Sequence, residues 1–117
     1  MLDIKTVMPN KHTQLVQTFN DRYMPLPQVL NYDSSKCTVL ATNKSYDGVS
    51  FIMRSPSDRY FIQTDVYASD GAFGSVRTEC ITYITMERAI SSFLSVTDGG
   101  HRRLTLEEAF GVTAEEI

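Results

Sequence analysis

Apolar residues recur along this chain with two different periods. Over Pro9 to about Tyr23, Leu15, Val16, Phe19 and Tyr23 fall at three- and four-residue spacing. That is the stripe of an amphipathic helix, and Pro25 and Pro27 would stop it. Before it, Leu2 to Val7 alternates and fits a short edge strand. After it, the period changes to two. Cys37–Thr42, Val49–Arg54, Arg59–Tyr67 and Val76–Ile84 are rich in β-branched and aromatic residues and read as strands. Tyr46-Asp47-Gly48, Ser55-Pro56-Ser57-Asp58 and the glycine-rich Asp70–Gly74 supply the turns. Connections this short force antiparallel neighbours, so the four strands form a meander.

The helical period returns near the C-terminus. Thr85 is placed as an N-cap, and Glu87 lies in the first turn, where the helix dipole favours negative charge. Met86, Ala89, Ile90, Phe93 and Leu94 form the buried stripe, and Asp98-Gly99-Gly100 closes the helix. Thr105 with Glu108 has capping-box spacing, and Leu104 is placed to staple onto Ala109. This predicts a short helix over Leu106–Phe110 ended by Gly111. The expected fold is α+β: a four-stranded antiparallel meander, with a fifth, short edge strand at the N-terminus, an N-terminal helix, and one or two C-terminal helices packed on one face. Nothing resembles a linker or repeat, so the 117 residues read as one domain.

Composition narrows the function only a little. Hydrophobic residues make up 42% and charged residues 21%, which suits a globular chain rather than a disordered one. The net charge is −3 and the pI is near 5.2. A duplex-binding protein needs a basic excess to displace counterions, so nucleic acid ranks low as a partner. No apolar run approaches the roughly 18 residues of a membrane span. The N-terminus lacks a basic-then-apolar leader, which makes the cytoplasm the expected compartment.

No grouping of residues carries recognisable catalytic chemistry. Two histidines, His12 and His101, and two cysteines, Cys37 and Cys80, match no metal-ligand spacing. Neither a metal nor another cofactor is therefore expected. Cys80 with His101 could form a nucleophile pair. A cysteine inside a strand is more often a small core residue. Asp70–Ser75 lacks the Lys-Ser/Thr and the following helix of a phosphate-binding loop. The densest basic stretch is His101-Arg102-Arg103. Arg54 and Arg59, which flank a turn, could join it in a patch for an acidic partner or phosphate.

Alternation assigns each strand two faces. Val49, Phe51 and Met53, then Tyr60, Ile62 and Val66, then Val76, Cys80 and Ile84 form an apolar set expected to meet the helices. The opposite set mixes charges with large apolar groups: Ile52, Phe61, Asp65, Tyr67, Arg77, Ile81 and Tyr83. Aromatic residues and arginine are enriched at interface anchors. This face is therefore the expected surface for a protein partner, or for a second copy in a homodimer, unless the C-terminal segment folds over it.

The favoured function is a non-enzymatic interaction module: an inhibitor, an immunity-type protein or an accessory subunit. Small proteins with which phages and other mobile elements block a host machine share these properties. One alternative is a small ligand-binding domain or enzyme. Its pocket would lie between sheet and helices or under the Asp70–Gly74 turn, with Asp65, Tyr67, Arg77 and Glu79 as the groups of interest. A second alternative is single-stranded nucleic-acid binding, with bases stacked on the aromatic sheet face.

Overall fold

The computed structural model describes residues 3–45, 47–67, 76–97 and 99–117. Tyr46, the Asp70–Gly74 turn and Asp98 lie outside the described residues. The fold is a small α+β arrangement of mostly antiparallel sheet. Five strands form the main sheet: β3 (Thr38–Lys44), β4 (Gly48–Arg54), β5 (Tyr60–Tyr67), β6 (Val76–Ile84) and β7 (Gly100–Arg102), in the order β6-β5-β4-β3-β7. The first four are the expected meander. The fifth strand is not at the N-terminus. It is β7, which pairs with β3 through Ala41 and Arg102, Thr42 and His101, and Asn43 and Gly100. Residues Ile4–Thr6 form a turn instead, closed by the Val7 N–H on the Asp3 carbonyl at 2.8 Å.

The largest departure is the N-terminal helix, which is a β-hairpin. Strand β1 (Thr13–Phe19) pairs with β2 (Pro25–Asp33) as a separate two-stranded sheet. Val16 and Thr18 point inward and are buried, while Leu15 and Gln17 point out, so the period is two after all. The turn is built by Asn20. Its side-chain oxygen accepts the Arg22 N–H at 2.9 Å and the Met24 N–H at 3.0 Å. Asparagine offers the backbone this local turn geometry. Pro25 and Pro27 stand in β2 of a two-stranded ribbon, where a missing N–H is tolerated.

The helices are α1 (Met86–Leu94) and α2 (Leu106–Phe110). Thr85 caps α1 through the Arg88 N–H, and Thr105 with Glu108 forms the full capping box of α2. Gly111 ends α2 at φ 70°, a left-handed conformation that favours glycine. Both helices cover one sheet face. Their core holds Ile52, Tyr60, Ile84, Ala89, Phe93 and Phe110. The hairpin covers the other face, where Val16 and Tyr32 pack on Val49, Phe51, Met53 and Phe61. The sheet is thus the middle of three layers.

Strand register corrects the expected faces. Met53 pairs with Phe61 and Phe51 with Gln63, whereas Ile52 pairs with Ile62. Val49, Phe51 and Met53 therefore look toward the hairpin, and Ile52 toward the helices. Two irregularities break strict alternation: one in β3 between Val39 and Ala41, and one in β6 opposite Thr64 and Asp65. The second turns Val76 to the side of Tyr67 and Arg77 to the side of Val66. Gly48 is required where β4 begins, because a Cβ there would run into the Asp65 carbonyl.

Candidate functional site

The polar residues expected on a binding face sit inside the molecule. Asp65 is completely buried. Its Oδ2 accepts the Asn10 N–H at 2.7 Å, and its Oδ1 accepts from Gln63 Nε2 and Thr78 Oγ1, each at 3.0 Å. Gln63, also completely buried, accepts the Tyr32 phenol on Oε1 at 2.6 Å and donates to the Asn10 carbonyl at 2.9 Å. The network ties the N-terminal segment and the hairpin to the middle of β5. A buried carboxylate needs such donors to offset the loss of water. Burial also pushes the Tyr32 phenol well above the usual tyrosine range, with Cys37 and Asp65 adding to it.

Phe61 is only 1% exposed, held between Tyr32 and Tyr83 at ring-centroid distances of 4.9 Å and 5.6 Å. Ile52 is buried under the helices. Tyr67 and Ile81 are half-buried at the border of the hairpin layer, and Arg77 is exposed beyond the β6 irregularity. Burial, and after it Asp65, pushes the Tyr67 phenol up. Of the seven residues read from the sequence as a partner surface, Tyr83 alone lines an open concavity of about 860 Å³.

The basic residues are not gathered into one patch either. Arg102 sits on the C-terminal end of α1, where Nε donates to the Phe93 carbonyl and Nη2 to the Leu94 carbonyl, both at 2.9 Å. Arg103 reaches the opposite way, to the carbonyls of Ile4 and Val7. Burial draws its guanidinium below the usual arginine range. Arg54 donates to the Glu108 carbonyl at 2.9 Å and to the Ala109 carbonyl, ending α2. Arg59 bridges the Tyr83 phenol oxygen and the Gln28 side-chain carbonyl, each at 3.1 Å. His101 lies half-buried on β7.

The best candidate site is a groove where the hairpin tip, the β6–α1 junction, the β4–β5 turn and α2 meet. It comprises cavities of about 860 Å³ and 340 Å³. They share Phe19, Asp21, Tyr83, Thr85 and Glu87, so they form one continuous depression. The floor is apolar and aromatic: Phe19, Leu26, Tyr60, Tyr83, Ile84 and Phe110. Tyr60 and Phe110 lie 5.4 Å apart by ring centroid. Five carboxylates stand around it: Asp21, Asp58, Glu87, Glu107 and Glu108. Glu108 accepts the Thr105 N–H, which holds its carboxyl below the usual range. Burial, and after it Asp58, pushes the Tyr60 phenol up.

Tyr23 overhangs the smaller cavity from the hairpin tip. Its φ is 60°, the residue is 60% exposed, and the Arg88 guanidinium lies 4.9 Å from the ring centroid. A bulky residue in the left-handed region is under strain that glycine or asparagine would avoid. Met24, next in sequence, and Met86, which lines the larger cavity, are also exposed.

Among the described residues, no three His, Cys, Asp or Glu side chains come together as metal ligands. No described helix is long and apolar enough to cross a membrane. The hairpin-tip residues of the groove escape the sequence reading because the spacing of Leu15, Val16, Phe19 and Tyr23 puts Tyr23 on a helix. The Asn20-Asp21 pair between two alternating runs is the signal that marks the turn. The contributions of Glu87 and Glu107 depend on where two short helices begin, and no local pattern brings those ends together. Compared with models of known families, with curated proteins and with solved structures, the chain gives no significant match.

Proposed function

We propose that this chain is a non-enzymatic binding protein whose macromolecular partner docks in the groove beside the hairpin tip. The observation that carries this reading is Tyr23. An exposed aromatic ring is kept at a position where its backbone is strained. Strain of this kind costs roughly 1–3 kcal/mol and clusters at functional positions. Supporting it is a floor of buried and half-buried aromatic rings with the exposed Met86 beside it, the mix of rigid and adaptable apolar groups found in interface centres. An inhibitor, an immunity-type protein or an accessory subunit would use such a surface. The nucleic-acid alternative needs Phe61 free to stack on bases, and that ring is covered by the hairpin.

The test compares the tagged protein with its Tyr23→Asn/Met86→Ser variant in affinity capture from the native host, with circular dichroism to check folding. A partner held by the first and lost by the folded variant supports the reading. A partner held equally by both moves the surface elsewhere. No partner at all favours a small ligand, for which the groove is also large enough.

A further inference from the structure

Charge in the groove is divided unevenly between groups already engaged and groups still open. Its three arginines all have partners within the chain. Arg54 holds the end of α2, Arg59 joins Tyr83 to Gln28, and Arg88 lies over Tyr23. Among the carboxylates Glu108 is committed to its capping box. Asp21, Asp58, Glu87 and Glu107 have neither an ion pair nor a side-chain hydrogen bond among the described residues. All four are exposed, and they line the rim of the groove above its apolar floor.

We infer that the groove takes a cationic, apolar-flanked segment of a partner protein, its Lys or Arg side chains reaching the four open rim carboxylates while neighbouring apolar side chains lie on Phe19, Tyr83 and Phe110. This deepens the binding-protein reading and rests on it. Complementary charge of this kind steers encounter and fixes register, while the aromatic floor supplies the burial. The arginines keep their charge, because their partners are neutral groups, but the five carboxylates lining the groove outnumber the three arginines, so an anionic segment would meet a net negative surface.

The test is a nitrogen-15 NMR titration of the whole chain with two synthetic octapeptides. One alternates lysine with leucine and phenylalanine, and its twin carries glutamate for every lysine. The lysine peptide is expected to shift the amides of Asp21, Asp58, Glu87 and Glu107. Its affinity should fall about 10-fold or more in the Asp58→Asn/Glu87→Gln/Glu107→Gln variant. Raising the salt from roughly 0.05 M to 0.3 M should also weaken it. Equal binding of the two peptides, shifts confined to other surfaces, or no shift with either overturns the inference. The two readings fail separately. If Tyr23→Asn/Met86→Ser loses the captured partner while both peptides bind alike, the groove remains a docking site and the cationic occupant is wrong. If the variant keeps the partner while the lysine peptide shifts the rim amides, the groove is cation-selective and the partner docks elsewhere.

Discussion

The Tyr32 phenol donates a 2.6 Å hydrogen bond to the Gln63 side-chain carbonyl, joining the hairpin to the centre of the sheet at a point closed to water. Tyr32→Phe leaves that oxygen without a partner, which costs about 1–3 kcal/mol. The Tyr32→Phe/Gln63→Leu double variant is expected to lose less than the sum of the two single changes. Urea unfolding of the three variants checks this, and strict additivity would show that the bond does not couple the layers.

Gly48→Ala places a methyl group into the Asp65 carbonyl. Both residues belong to ladders that are buried from two sides, so the strands have little room to part. The expected loss is about 3 kcal/mol, at the upper end for overpacking. A thermal midpoint unchanged within error would mean that β4 and β5 separate more easily at this end than the fold implies.

Tyr23→Asn removes an exposed ring and replaces it with a residue that tolerates the left-handed region. Stability is expected to stay level or to rise by up to about 1 kcal/mol. This is the opposite of what truncating an aromatic residue usually does. Denaturant midpoints decide it. A clear loss would mean that the Arg88–Tyr23 contact outweighs the strain at the hairpin tip.

Alkaline pH should destabilise the hairpin side of the molecule. Burial pushes the Cys37 thiol up to about 11, and it pushes the Tyr32 phenol up as well. Both groups hold their protons more tightly folded than unfolded. The thiol's contribution is complete below the ordinary thiol range near pH 9 and is lost as pH rises toward 11, while the phenol's begins to be lost only above the ordinary tyrosine range near pH 10. Unfolding midpoints measured from pH 8 to 11 should fall, and Cys37→Ser should flatten part of the fall. Iodoacetamide at pH 8 should label the exposed Cys80 well before Cys37.

Much of this fold was legible because each local signal agreed with its neighbours. The meander from Cys37 to Ile84, the Thr85 cap and the Thr105–Glu108 box are set by residues close in sequence. The hairpin reads as a helix because Leu15, Val16, Phe19 and Tyr23 satisfy a helical spacing by accident, while the inward residue at position 18 is a threonine. Its hydroxyl is buried against the Gln28 carbonyl at 2.9 Å, so a polar side chain occupies an inward strand position. The sheet faces were misassigned because Ile52 and Phe51 are both apolar in a strand covered on two sides, and alternation cannot rank them. The groove was least legible. It exists only where four loops and helix ends converge, and its carboxylates come from four separate segments.

The neighbouring arginines on and just after β7 reach in opposite directions, Arg102 to the end of α1 and Arg103 to the carbonyls of Ile4 and Val7. This has a consequence for how the chain folds as it is made. The segment around Ile4 leaves the ribosome almost a hundred residues before its fastening, and Asn10 must wait for Asp65. The meander can assemble from local pairings and the hairpin can close over it once β5 and β6 are made, but the Ile4–Val7 segment is fastened only after Arg103 has followed. Until then the carbonyls of Ile4 and Val7 lack the guanidinium donor that the folded chain gives them.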